Sequence, residues 1–248
     1  EPRRIIDDAL RNMFDGIARR DVGTSLIMSA RTLVEEEPNY TYATARLLLD
    51  ELRHEALSFL GVRRPAAAEN DYTATQAEMA EVYPEAFAAY VRRGVELELI
   101  APELARFDLE RLGRALLTER DLQFTYLGLQ TLYDRYFLHS GEVRFELPQC
   151  FFMRVAMGLA LNEDDPEARA IEFYELLSSF DYMSSTPTLF NSGTLKPQLS
   201  SCYLTTVGDD LDGIYSAIRD NALLSKFAGG LGNDWTRVRA LGSYIKGT

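Results

Sequence analysis

The sequence predicts an α/β chain whose long N-terminal part is mainly helical and whose C-terminal end is a strand–helix–strand unit. Three observations carry this expectation. Apolar residues recur at helical spacing through most of the first 180 positions, beginning with Ile5, Ile6, Ala9, Leu10, Met13, Phe14 and Ile17. Prolines open several of these runs, at Pro84, Pro148 and Pro166, where the first helical turn tolerates a missing N–H. From Ser200 the texture becomes β-branched and aromatic, Ser-Ser-Cys-Tyr-Leu-Thr-Thr-Val, followed by another periodic run and a glycine-rich stretch.

In chain order, residues 1 to about 60 read as three helices. The first carries Ile5 to Ile17, with Gly16 and Gly23 marking turns. The second runs from about Asp21 to Glu36 and turns Leu26, Ile27, Ala30, Leu33 and Val34 inward. Pro38 ends that run, because a residue before proline is pushed out of the helical region. The third helix is expected to start near Thr41 as N-cap and to carry Ala45, Leu48, Leu49, Leu52 and Ala56. Val62–Asp71, which has little to bury, is the best linker candidate. A helix is expected after Pro84, with Phe87, Tyr90, Val91 and Val95 on one stripe, and another over Asp108–Glu119. Tyr136 to Phe145 reads as a short hairpin around His139-Ser140-Gly141-Glu142. Helices over Pro148–Leu161 and Pro166–Ser179 follow, the latter capped by Asp165. The charge runs Glu35–Glu37 and Glu163–Asp165 fit solvated helix ends. There is no internal repeat.

Composition narrows the classes of function. The 248 residues suffice for one large domain or two smaller ones. The net charge of −12 argues against a broad electrostatic grip on nucleic acid, though helix N-termini or a few arginines can still hold a phosphate. No apolar run reaches membrane-spanning length. Glu1-Pro2-Arg3-Arg4 leads into an amphipathic pattern and does not resemble a signal peptide. Without an initiating Met, the sequence reads as a piece of a longer chain. Only Cys150 and Cys202 are present, which fits a reduced, cytoplasmic compartment. His54 and His139 stand apart without ligand-like neighbours, so no metal site is expected.

The candidate chemistry lies beyond Ser184. Ser184 to Thr194 is rich in hydroxyls, Pro and Gly and reads as a loop that either satisfies its own backbone or offers neutral donors to an anion. Cys202 lies in the expected strand Ser200–Val207; a lone strand cysteine is commonly a small buried hydrophobe, and redox work would require a second thiol. Gly208-Asp209-Asp210-Leu211-Asp212 opens a helix to about Phe227, and acidic residues there suit capping and the helix dipole. Ile214, Ala217, Ile218, Ala222, Leu223 and Leu224 give that helix a broad apolar face, for core or for a subunit contact. Gly229, Gly230 and Gly232 exceed what a helix cap needs and would permit close approach of a ligand. The stretch is neither a Rossmann nor a Walker fingerprint. Arg237 and Arg239 would share a face if extended, suited to phosphate oxygens or to solvent.

Taken together, Ser-Thr-Pro-Thr-Leu-Phe-Asn-Ser-Gly-Thr, Gln-Leu-Ser-Ser-Cys-Tyr-Leu, Gly-Asp-Asp-Leu-Asp-Gly-Ile and Arg-Val-Arg-Ala-Leu-Gly-Ser-Tyr-Ile-Lys-Gly-Thr resemble, in order and spacing, the large (alpha, catalytic) subunit of class I ribonucleotide reductases. The resemblance is strongest over residues 184–248, extends to about 108, and over 1–107 is similar to the helical region that follows the ATP cone in longer relatives. It implies a division into 1–64, a helical region; 65–183, a helical N-terminal domain with the hairpin near 136–145; and 184–248, the truncated start of a ten-stranded α/β barrel.

The resemblance also implies an activity: ribonucleoside-diphosphate reduction through a thiyl radical and a redox-active cysteine pair, for deoxyribonucleotide supply to DNA replication. Cys202 matches one member of that pair, its partner being absent here, and the piece by itself would be inactive. Thr186, Ser201 and Gly230 match substrate-binding positions. Asp209, Leu211 and Arg239 match effector-binding positions. The helix at 210–227 matches one that pairs across a homodimer. The implied partners are a ribonucleoside diphosphate, deoxynucleotide effectors and ATP, a metal-containing radical-generating small subunit, and thioredoxin or glutaredoxin; no cofactor is implied in this chain, and neither nucleic acid nor membrane is a partner. Three alternatives remain open at this point: a non-catalytic effector-binding and dimerising module, a helical interaction protein with no ligand, and a cobalamin-dependent relative acting on the same substrate class.

Overall fold

The computed structural model describes residues 2–63, 74–227 and 229–245. The linker expected over Val62–Asp71 falls mostly outside them. The chain divides into two compact units: residues up to Met183 together with Asn191–Pro197, and Ser184–Phe190 together with the chain from Gln198 onward.

The first unit is helical. Helix α1, Pro2–Leu10, stops well short of the expected Ile17. The reason is local: the Asn12 side chain donates to the Asp8 carbonyl at 3.2 Å and its backbone N–H to Ala9, which closes the last turn. Helix α2, Arg19–Thr32, runs into a short 3₁₀ turn at Leu33–Glu35. Ile5, Ala30 and Leu33 form a small buried cluster here, covered by Leu26, Tyr40 and Leu47. Helix α3, Tyr40–Leu60, begins one residue before the expected cap. Thr41 therefore lies inside the first turn, and its hydroxyl accepts the Tyr126 N–H at 3.0 Å. Gly61 ends α3 in the left-handed conformation that glycine adopts without strain (φ 70°).

Helix α4, Met79–Glu96, starts five residues before the expected Pro84, which sits inside it. Glu78 organises the start by accepting the Thr75 N–H and hydroxyl at 2.8 and 2.7 Å. The proline packs under Gly113, where a Cβ would come within 2.9 Å of its Cα. The helix expected over Asp108–Glu119 is two pieces: α5, Leu109–Arg114, and a 3₁₀ turn at Thr118–Gln123. Leu117 between them is extended and gives its N–H to the Tyr174 hydroxyl at 2.8 Å, which diverts the chain. Helix α6, Tyr126–Arg135, precedes a hairpin of β1, His139–Ser140, and β2, Val143–Arg144, paired Ser140 to Val143. Gly141 takes the first loop position at φ 61°.

Helices α7, Pro148–Ala160, and α8, Pro166–Ser178, start at their prolines. Asp165 caps α8, accepting the Ala168 N–H at 3.1 Å. α7 lies at the centre of the unit, with Gln149 and Arg154 buried among its apolar residues. Arg154 pairs with Glu146 at 2.7 Å, and both side chains are wholly buried. Tyr90 also donates its hydroxyl to Glu146. Asp121, likewise buried, accepts from Arg53, Tyr83 and Gln149 at 2.8, 2.9 and 2.7 Å. Each buried charge is thereby met by an opposite charge or a hydrogen-bond donor.

The second unit holds the strand–helix–strand element: β3, Cys202–Thr206; α10, Leu211–Lys226; and β4, Gly230–Asp234. The strands are parallel, with Cys202 opposite Gly230 and Thr206 opposite Asp234. Three local expectations change. The hydroxyl-rich stretch contains a short helix, α9, Thr186–Asn191. The glycine-rich stretch is largely strand, because ladder hydrogen bonds to β3 supply the order its side chains do not. Arg237 lies in a turn after β4 and Arg239 in the irregular chain beyond it, so they share no strand face.

Candidate functional site

Cys202 is the first residue of β3, and its free thiol is exposed, contrary to the buried role a lone strand cysteine commonly has. The parallel register brings Gly230 beside it. The Gly230 N–H donates to the Ser201 carbonyl at 2.7 Å, and the Ser201 hydroxyl lies 3.6 Å from the Cys202 sulfur. A Cβ at Gly230 would stand 3.1 Å from the Ser201 oxygen and 3.7 Å from that sulfur. Glycine therefore leaves the thiol uncovered, which is the requirement for a small reactant to reach it. A hollow of about 540 Å³ borders the same place, lined by Cys202, Tyr203, Leu204 and Thr205 of β3 and by Asp220, Leu223 and Leu224 of α10. Cys150 contrasts sharply: it is buried on α7, and burial, with Glu146 and Asp121 nearby, pushes its thiol well above the usual range.

Thr186 opens α9 in the same unit. The Thr188 hydroxyl donates to the Leu199 carbonyl at 3.0 Å, tying this helix to the segment that leads into Ser201.

The second group forms at the other end of the strands. Asp209 accepts both the backbone N–H of Arg239 at 3.0 Å and its guanidinium at 2.8 Å. Those hydrogen bonds, the backbone one first, hold the Asp209 carboxyl below its ordinary value. Both side chains remain partly exposed, at 36 and 40 %. Asp210 caps α10, accepting the Gly213 N–H at 2.7 Å, so Leu211 is the helix's first residue and is open to solvent. The structure thus gathers Ser201, Cys202 and Gly230 at one end, and Asp209, Leu211 and Arg239 at the other.

The broad apolar face expected on α10 divides in two. Ile214, Ala217 and Leu224 face inward, while Leu211, Tyr215, Ile218 and Ala222 form an exposed stripe at helical spacing. Sequence reasoning missed the polar members of the inner side. Asn221 bonds reciprocally with Asn233 of β4, at 2.6 and 3.1 Å, and Asp220 lines the hollow beside Cys202. The available signal was a polar residue inside the Ile214, Ala217, Asn221, Leu224 stripe.

A mainly helical unit with one short hairpin, followed by a parallel strand–helix–strand unit that presents an exposed thiol at a strand start, defines a helical domain joined to the beginning of an α/β domain. Residues 122–197 match the family model for the ribonucleotide reductase all-alpha domain, and residues 200–248 match that for its barrel domain. The chain is 49% identical over 245 residues to the ribonucleoside-diphosphate reductase subunit alpha of Chlamydia muridarum, covering 98% of this chain and 22% of that protein. To the corresponding subunit of Helicobacter pylori it is 39% identical over 242 residues, covering 97% of this chain and 28% of the relative. To the large subunit of Plasmodium falciparum it is 31% identical over 252 residues, covering all of this chain and 28% of the relative. The chain belongs to the ribonucleotide reductase large-subunit family, and it spans about a quarter of the length of these relatives.

Proposed function

We propose that this chain is part of the catalytic subunit of a ribonucleoside-diphosphate reductase and carries the first portion of its active site. The observation that carries the reading is the meeting of Cys202, Ser201 and Gly230 at the head of a parallel strand pair, with an uncovered thiol. In the reaction, two thiols give up two electrons and two protons and become a disulfide. The 2′ carbon–oxygen bond of the ribonucleotide breaks, its oxygen leaves as water, and hydrogen replaces it. Cys202 is one of those thiols. Its partner and the radical-bearing cysteine belong to the part of the subunit beyond this chain, where the remaining strands complete a ten-stranded barrel.

The roles of the surrounding residues follow from their chemistry. Thr186 and Ser201 offer hydroxyl donors, and Gly230 a backbone without a side chain, to the substrate's phosphates and sugar. Asp209, Leu211 and Arg239 form the start of a site for a deoxynucleotide effector or ATP, with Arg239 turning from Asp209 toward the phosphate. The exposed Leu211, Tyr215, Ile218, Ala222 stripe pairs α10 with its copy in a homodimer. A metal-containing small subunit supplies the radical, and thioredoxin or glutaredoxin resets the disulfide by exchange, in the cytoplasm. By itself the chain does not turn over substrate.

The test replaces Cys202 by serine in the longer subunit assembled with its radical-generating partner. Multiple turnover with a dithiol reductant should fall by at least three orders of magnitude, while effector binding persists. Undiminished turnover would remove Cys202 from the redox pair. Effector binding by the 248-residue chain without catalysis in any longer form would favour the alternative of a binding and dimerising module.

A further inference from the structure

β4 has no apolar anchor of its own. Gly230 and Gly232 lack side chains, Leu231 is exposed, and Asp234 turns to Thr236. Among the described residues, the side-chain hydrogen bonds between β4 and α10 are those of one pair. Asn221 donates its amide to the Asn233 oxygen at 2.6 Å, and Asn233 donates its own to the Asn221 oxygen at 3.1 Å. Both residues are part-buried.

Two facing amides that satisfy one another differ from an apolar contact. Apolar groups tolerate a slide of an ångström or two, whereas reciprocal amide bonds lose both partners together if helix or strand shifts. Once broken in a part-buried place, each amide would stand unsatisfied until water or another group met it. The pair therefore selects one register between α10 and β4 more firmly than its net contribution to stability suggests.

Its position gives that register a use. α10 begins at Leu211, beside the Asp209–Arg239 pair, and β4 ends just before the turn that leads to Arg239. Three residues back along β4 from Asn233, roughly 10 Å at strand rise, Gly230 donates its N–H to Ser201 beside the Cys202 thiol. We propose that Asn221 and Asn233 are a positioning latch that makes α10 and β4 move as one body, so that occupancy at the Asp209–Arg239 end reaches the backbone at Gly230. The role rests on the reading given under Proposed function, whereas the latch itself is a property of the fold.

Two measurements on Asn221→Leu, Asn233→Leu and Asn221→Asp separate the two. In the 248-residue chain, hydrogen exchange at the Gly230 amide should quicken at least tenfold in each leucine variant and less in Asn221→Asp, which keeps an acceptor for the Asn233 amide. Exchange at the β1–β2 hairpin should not change. Unaltered protection of Gly230 overturns the latch whatever the protein does. In the longer subunit with its radical partner, the effector-driven change in substrate KM should shrink to within about twofold in the leucine variants, with kcat in the absence of effector held within about twofold. Full effector response in both leucine variants overturns the coupling role. A wild-type subunit without any effector response would refute the functional reading instead, leaving the exchange result to decide the latch. Should a leucine variant not fold, Asn221→Ser is read in its place by the same criteria.

Discussion

Helices α7 and α10 are similar in length but differ in how they are finished. α7 is buried on nearly every side, and its two internal polar side chains, Gln149 and Arg154, are both bonded. α10 has Ala217 as its one buried residue and exposes Leu211, Tyr215, Ile218, Leu223 and Phe227. Exposed apolar residues scattered singly mean little; a stripe of them marks a surface built to be covered. The first unit closes its own core, while the second leaves a thiol, an ion pair and an apolar stripe open to solvent.

The largest expected difference lies between the two thiols. Cys202 should react with a maleimide at nearly the rate of an unstructured thiol. Cys150, with no exposed surface and a raised pKa, should react only through opening of the first unit, on the order of 10³-fold slower or more. Time-resolved mass spectrometry of the labelled chain reads both rates at once. Comparable rates would mean that α7 is not closed to solvent. Replacing Gly230 by valine should slow labelling of Cys202 severalfold and leave Cys150 unchanged, since its branches would cover the sulfur.

Next in size are changes at the buried pair. Arg154→Met removes the cation that meets the wholly buried Glu146, which should destabilise the first unit by about 3–5 kcal/mol. Leu204→Ala on β3, at a side chain 90 % exposed, should change stability by less than about 0.5 kcal/mol. Urea unfolding followed by circular dichroism measures both, and a loss under about 1 kcal/mol for Arg154→Met would show that the pair is hydrated. Gly158→Ala falls between these limits. Its Cβ would stand 2.1 Å from the Gly193 nitrogen and 2.4 Å from the Ser192 hydroxyl, and forcing those groups apart should cost about 1–3 kcal/mol.

Much of this contrast was legible in the sequence, and the illegible parts have physical causes. α7 and α8 announced their starts because proline and Asp165 act locally, through a missing donor and a side-chain cap. The family resemblance was likewise legible, since the motifs stand in order along the chain. α9 was hidden because six residues between proline- and glycine-rich flanks carry no usable period. β4 was hidden because glycine has no strand propensity, and its order comes from the ladder with β3, a partner nearly thirty residues earlier. Pro84 misled because a proline in an early helical turn does not identify the first residue. The Asn221–Asn233 pair became visible only when strand and helix were placed together. The roles proposed for Thr186, Ser201, Gly230, Asp209, Leu211 and Arg239 came from the resemblance, because hydroxyls, glycines and single charges have ordinary local uses as well.

The smallest effect is in the response to acid, where two carboxyls differ in sign. Burial raises the Asp121 pKa despite Arg53, so its contribution to stability is full below the ordinary carboxylate value and is lost as pH rises through the raised one. Hydrogen bonds from Arg239 lower that of Asp209, so its contribution is present above the ordinary value, about 3.9, and is lost only as pH falls through the depressed one. The single tryptophan, Trp235, lies at the turn between β4 and Arg239 and reports on this end of the second unit. Its emission should stay constant from pH 7 to about 4 and change below that. Asp209→Asn should remove most of that change, because an amide no longer titrates there. Asp234, whose carboxyl is also lowered by its hydrogen bonds to Thr236, accounts for the remainder. A transition already complete at pH 5 would mean that Arg239 does not hold Asp209 in solution, and the end of α10 would then be as loosely tied as its exposed residues are uncovered.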